Sequence, residues 1–198
     1  RMASASPTTA PSTQPPLTLP ATSPSSLTAI AAPGRRGPEP SMSTTRAIAT
    51  NSALPLPAPA AGKCEFSVVY TTAAGAMTST APAYDSGWAM EIALDVQWAH
   101  ATAPLARIVL IEAPDPSVGS LANAVKLANA MGPGAVSMSF GAPEGAWTSS
   151  VESAFSGASM TYLAATGDSG AGVYWPSVSP KVVAVGGTTL AWSGSGAR

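Results

Sequence analysis

The chain has 198 residues, 45% of them hydrophobic and 10% charged, with a formal net charge of −1; this is enough for one domain with a real core. Charge this sparse and this balanced leaves no basic footprint for nucleic acid and no polybasic patch for a membrane surface. No apolar run approaches the roughly 20 residues that cross a bilayer, residues 1–30 hold no apolar segment of a secretory leader, and the single cysteine, Cys64, forbids an intrachain disulfide and reads as a half-buried thiol.

Residues 1–61 are almost all Ala, Pro, Ser and Thr. Twelve of the 20 prolines precede residue 60, and all twelve aromatics follow residue 65. Without aromatics and with this much proline, the segment buries too little apolar surface to offset its ordering entropy, so it is expected to be disordered. Two origins fit: a secreted, glycosylated linker, or off-frame translation of a GC-rich gene upstream of a domain spanning 62–198. The chain opens on Arg1 rather than Met.

From residue 62 strands and helices alternate. "CEFSVVY" (64–70) predicts a strand, and "DSGWAMEIALDVQWAHA" (85–101) a helix with Asp85 or Ser86 as its N-cap. "ARIVLIEA" (106–113) predicts a buried strand. "SVGSLANAVKLANAMG" (117–132) predicts an amphipathic helix stopping at Gly132-Pro133. Next come a strand at 135–141, a helix at 145–158, and strands at 160–167 and 181–190. Strands that are apolar on both faces and alternate with helices specify a parallel sheet covered by helices, an α/β fold in three layers. Sites in such sheets lie at the carboxyl ends of the strands. "SFG" (139–141) and "TGDSG" (166–170) both fall there.

The helix at 85–101 is apolar on nearly every side, which predicts burial. It nevertheless carries Glu91 and Asp95, at i and i+4 on one face. Like charges at that spacing repel, and burial opposes ionising either one. Such a pair is a candidate for acid–base work, or else a solvated edge of the helix. His100, the single histidine, lies about two and a half turns beyond Glu91 at 3.6 residues per turn. It reads as a third member of the site, as a metal ligand beside Glu91 and Asp95, or as a partner for the helix's terminal carbonyls. "GDSG" raises a trypsin-like alternative, with Ser169 as nucleophile and His100 and Asp115 completing a triad. That triad belongs to antiparallel barrels, whereas this chain alternates strand and helix.

Taken together and in order, "GWAMEIALDVQWAHATAPLARIVLIEA", "VSMSFG" and "ATGDSGAGVYWPSVSPKVVAVGGTTL" resemble the sedolisins, the serine-carboxyl peptidases. The resemblance is close over 82–198, fainter over 62–81, and absent before that. It implies a subtilisin-like fold, secretion, and hydrolysis of peptide bonds in peptide or protein substrates at acid pH by a monomer. Carried onto this sequence, it makes Glu91 the general base, Asp95 the acid that holds Glu91 in place, and Asp168 the oxyanion-hole acid. Ser139, Phe140 and Gly141 would line the cleft where an extended peptide pairs with backbone. A carboxylic acid donates to an oxyanion only when protonated, which accounts for an acid optimum. Asp168 also reads as an Asx-turn capping a Gly-rich loop.

The chain departs from the family's pattern in several ways. The family's nucleophile is the serine of a Gly-Thr-Ser motif downstream of the "VAVGGTTL" strand, and no such motif occurs in this sequence. The acidic calcium site that the family implies falls outside the chain, as does a first core strand expected before residue 60. The second cysteine that many relatives carry shortly before the position of Cys64 is absent. These departures lead to the expectation of an incomplete sedolisin-like domain at 62–198, inactive alone. The alternative is a non-catalytic secreted binding module on a Pro/Thr-rich stalk.

Overall fold

The computed structural model describes residues 65–189, the backbone of Ser25–Ala31 and Ser43–Ala47, and positions 54, 56, 191 and 194. Cys64 lies outside the described residues, so the reading of its thiol is left where the sequence put it.

Strands form in all five runs where they were expected, and among the described residues five further strands accompany them. β1 is Ser25–Ala31, β2 Ser43–Ala47, β3 Glu65–Thr71, β4 Met77–Thr78, β5 Arg107–Ala113, β6 Gly134–Met138, β7 Ala142–Pro143, β8 Met160–Ala165, β9 Tyr174–Trp175 and β10 Val183–Val185. The helices are α1 (Ser86–Thr102), α2 (Val118–Ala130) and α3 (Thr148–Val151). The main sheet has the order β10-β8-β6-β1-β5-β3-β2, with β4 on β3, while β7 and β9 make a separate ribbon. β2–β3, β3–β5, β6–β8 and β8–β10 pair in parallel. β1 runs antiparallel to both of its neighbours, β5 and β6. The chain is thus α/β with a mostly parallel sheet.

The two faces of β5 define the layers. Val109, Ile111 and Ala113 share one buried cluster with Leu121, Val125 and Ala128 of α2 and with Val136 and Met138 of β6. Glu112, of opposite parity, faces a cleft with Asp85, Ala89 and Ile92 at the start of α1. Period-two alternation therefore puts α2 on one face and α1 on the other. At the amino end of the sheet Arg107, 7% exposed, is matched across the parallel register by Glu65, with Nη2 donating to Oε2 at 2.6 Å.

Three expectations need correction. Segments of the stretch expected to be disordered lie in strands: β1 is the Pro-free run between Pro24 and Pro33, and β2 the Pro-free run between Pro40 and Pro55. A central strand donates on both sides and excludes proline; composition averaged over the segment hid these windows. β1 lies before residue 60, where the family's first core strand was expected to be missing, and runs antiparallel to both of its neighbours. The helix at 145–158 shortens to α3 and a 3-10 turn at Glu152–Ala154. The serines account for this, because Ser150 Oγ donates to the Trp147 carbonyl at 2.6 Å and Ser156 Oγ to that of Ser153 at 2.8 Å, competing with the helical ladder.

The third correction concerns α1, which has no fully buried residue. Met90 (74% exposed), Leu94 (49%) and Trp98 (66%) form an outward apolar stripe, while Trp88, Glu91, Ile92, Asp95 and Val96 are half-buried. The sheet side thus carries both acids together with Trp88, Ile92 and Val96, and apolar residues lie on both sides of the helix. Nothing among the described residues covers the outer face.

Candidate functional site

Two strand ends and one helix build the site. β6 ends at Met138 and hands the chain to Ser139, Phe140 and Gly141; β8 ends at Ala165 and hands it to Thr166, Gly167 and Asp168. These segments line a cleft of about 270 Å³ together with Ser169 and Tyr174. Gly167 holds a positive φ of 95°, and a Cβ there would stand 3.1 Å from the Tyr174 ring. The turn that presents Asp168 therefore requires glycine. Phe140 is 6% exposed and its ring lies 5.9 Å from that of Trp175. It is the floor of the cleft, whereas Ser139 and Gly141 are its partly exposed wall.

α1 starts where the sequence places it. Asp85 is the N-cap, its Oδ1 accepting from the Trp88 amide at 2.9 Å. One helical repeat then sets Glu91 and Asp95 side by side on the sheet-facing side. Ser139 Oγ donates to Asp95 Oδ1 at 2.6 Å, which ties the helix to the end of β6. Asp95 Oδ2 is buried and meets no hydrogen-bond donor among the described residues.

The electrostatics follow from this placement. Burial raises the Glu91 carboxyl above its ordinary value, the neighbouring Asp95 charge raises it further, a hydrogen bond from Ser139 works in the opposite direction, and the Asp168 charge adds a smaller upward push. Asp95 is likewise raised by burial and partly restored by Ser139. Asp95, Ser139 and Asp168 thus all act on Glu91, and Ser139 acts on Asp95 as well. Two carboxyls that resist ionisation beside a third can hold and exchange protons at mildly acid pH.

The rival constellations do not assemble. Asp115 is occupied at the start of α2: Oδ1 accepts from the Ser117 amide at 2.9 Å and Oδ2 from Ser120 Oγ at 3.0 Å. Burial works to raise its carboxyl, but these bonds outweigh burial and hold it below its ordinary value. Asp115 is therefore a helix-capping group, not the orienting member of a triad with His100 and Ser169. His100 sits in the last turn of α1. Among the described residues no group of three or more His, Cys, Asp or Glu side chains is placed to hold a metal ion. Glu91, Asp95 and His100 are therefore not a metal centre, and no described residue is assigned to calcium.

Sequence reasoning missed two features. The Ser139 hydroxyl bonds Asp95, although the pattern suggested a role facing substrate; no periodicity links a strand end to a residue on a preceding helix. Glu112, held above its ordinary value by burial, lines a second cleft of about 300 Å³ with Tyr84, Asp85 and Ile92. A charged residue on the last outward position of an otherwise buried strand is the signal that could have found it. Among the described residues no helix is long and apolar enough to cross a membrane.

In sequence the chain is similar to kumamolisin of Bacillus sp. (strain MN-32), with 39% identity over 119 residues, 50% of this chain and 21% of kumamolisin. The chain spans about a fifth of that relative's length. No protein-family model matches it, and no solved structure matches it.

Proposed function

We propose that residues 62–198 are part of a sedolisin-type serine-carboxyl peptidase domain of subtilisin-like fold, secreted and acting on peptide bonds at acid pH. The observation that carries this reading is the link between the acid pair and the cleft at the carboxyl ends of β6 and β8: Ser139 and Asp168 line that cleft, Ser139 Oγ donates to Asp95 Oδ1 at 2.6 Å, and the Asp168 charge acts on Glu91. The similarity to kumamolisin, itself a sedolisin, supports it. An extended peptide lies along the wall formed by Ser139 and Gly141. Glu91 takes the proton of the attacking hydroxyl, and Asp95 holds Glu91 in position. Asp168, when protonated, donates to the oxyanion that forms as the carbonyl is attacked. Burial of Glu91 favours its protonated form and so raises the pH at which it can act as a base; the acid range of the proposed activity rests instead on the need for a carboxylic acid to be protonated before it can donate to an oxyanion.

The 198 residues contain no Gly-Thr-Ser motif, so the attacking hydroxyl is not supplied by a residue of that motif here. The purified chain incubated with denatured protein at acid pH is expected to release no peptides, and turnover would refute the assignment of roles. The nucleotide sequence on both sides of the coding region, read in all frames, tests the family. A Gly-Thr-Ser motif downstream supports the peptidase. Its absence from every frame overturns the peptidase and leaves the binding module.

A further inference from the structure

We infer that Ser139 is a positioning residue of the acid pair: its single hydroxyl proton is committed to Asp95, and this separates the tasks of two carboxyls that are otherwise alike. The inference rests on the peptidase reading and deepens it.

Glu91 and Asp95 start as near equivalents. They share a helix face and a half-buried environment. Nothing in α1 itself decides which one keeps its charge and which one exchanges a proton. The decision comes from outside the helix. Ser139 stands at the first position beyond β6 and aims Oγ at Asp95 Oδ1, 2.6 Å away. That distance is in the short range of O–H···O⁻ bonds to an ionised carboxylate. A serine hydroxyl has one proton to donate and two lone pairs to accept with. The same hydroxyl also faces Glu91, but it cannot donate to both carboxylates at once.

The asymmetry has a direction. Asp95 has no other hydrogen-bond donor among the described residues, and its second oxygen is buried without a partner. Asp95 therefore depends on Ser139 for its charge. Glu91 is closer to solvent, feels the Asp95 charge from the same helix, and feels the Asp168 charge from the turn after β8. With the hydroxyl proton committed to Asp95, the downward influence that a bond from Ser139 would exert on Glu91 is withheld, and Glu91 is left with the upward push of burial and of its two acidic neighbours. Asp95 is thus the fixed charge and Glu91 the group that gives and takes the proton. The contact with substrate along this strand falls to the backbone of Ser139, since its side chain is engaged behind the cleft wall.

The test is a pH titration of the Glu91 and Asp95 side-chain carboxyl carbons by NMR in the 198-residue chain, with Ser139→Ala, Ser139→Thr and Ser139→Val. Loss of the hydroxyl in Ala and Val is expected to move the Asp95 midpoint up by about one pH unit, the scale on which a hydrogen bond to the charged form acts, and to narrow its separation from that of Glu91. Ser139→Thr keeps the hydroxyl and is expected to restore both midpoints to within a few tenths of a unit. Thr and Val are near-isosteric, so their difference isolates the hydroxyl even where alanine disturbs the fold. Identical midpoints in the Thr and Val variants would overturn the inference. The titration reads carboxyls and needs no turnover. A Glu91→Ala variant of a complete peptidase that retained its rate would instead overturn the peptidase reading, and the titration result would stand apart from it.

Discussion

Trp175 and Trp98 allow one substitution to be placed in two opposite environments of the same molecule. Trp175 is 0% exposed, whereas Trp98 is 66% exposed. The Trp175 ring lies 5.9 Å from Phe140, 5.9 Å from Trp147 and 6.1 Å from Phe155. Truncating a buried aromatic to alanine costs about 3–5 kcal/mol, and three aromatic neighbours put Trp175 at the upper end of that range. Against this, the Trp175 indole N–H is buried and meets no acceptor among the described residues, so its removal returns about 1–2 kcal/mol. The expected net cost of Trp175→Ala is about 3 kcal/mol, while Trp98→Ala stays within about 0.5 kcal/mol. With a urea dependence of about 2 kcal/mol per molar, the Trp175→Ala midpoint falls by about 1.5 M. Trp175→Phe, which keeps a ring and discards the unpaired N–H, is expected to lie much closer to the parent. Urea unfolding followed by circular dichroism measures all three. Equal midpoints for the two alanine variants would refute the placement of Trp175 as the hub beneath the cleft.

Other outcomes follow from the same structure. Burial holds Glu91, Asp95 and Glu112 above their ordinary values of 4.5, 3.8 and 4.5, so the folded state binds protons more tightly than the unfolded one. Their contribution is full below those values and is lost as pH rises through the folded ones. Asp115 runs the other way, and its contribution is lost as pH falls below its ordinary 3.8. The urea midpoint is therefore expected to decline from pH 4.5 to pH 7 and to decline less in Glu91→Gln; a rising midpoint would contradict the burial of these carboxyls. In a complete peptidase, Glu91→Ala and Asp168→Ala are each expected to lower kcat/KM at least about a hundredfold, and near-normal rates would remove the assigned roles. Replacing Met90, Leu94 and Trp98 together by lysine is expected to reduce self-association of the chain in sedimentation velocity, because that stripe is the exposed apolar face of α1; unchanged association would assign it to another surface.

What could be read from the residues depended on how locally each feature is encoded. The Asp85 cap and the stop of α2 near Gly132 are written in neighbouring residues, and the helices begin and end close to them. β5 is apolar on both faces and lies inside the sheet, where such a strand must be. The composition of residues 1–61 described an average and missed two short proline-free windows that a sheet could recruit. Burial of α1 was inferred from its apolar residues, but burial is a property of what covers a helix, and the helix itself does not encode its cover. The i,i+4 spacing brought Glu91 and Asp95 together. Their link to Ser139 is tertiary, made by two elements separated by α2 and two strands, and no local pattern records it.

β1 gives the sheet a seam. Among the described strands, every backbone hydrogen bond between the β3–β5 half and the β6–β8–β10 half passes through this one segment. The acid pair stands on the helix that leads into β5, whereas Ser139 and Asp168 hang from β6 and β8. The 2.6 Å bond between Ser139 and Asp95 therefore spans the joint, and the alignment of the cleft is set by how the two halves are sewn together. A slip of β1 by two residues along either neighbour would keep its pleat in phase yet slide one half past the other by about 6–7 Å, enough to part the serine from the aspartate while leaving each half internally intact.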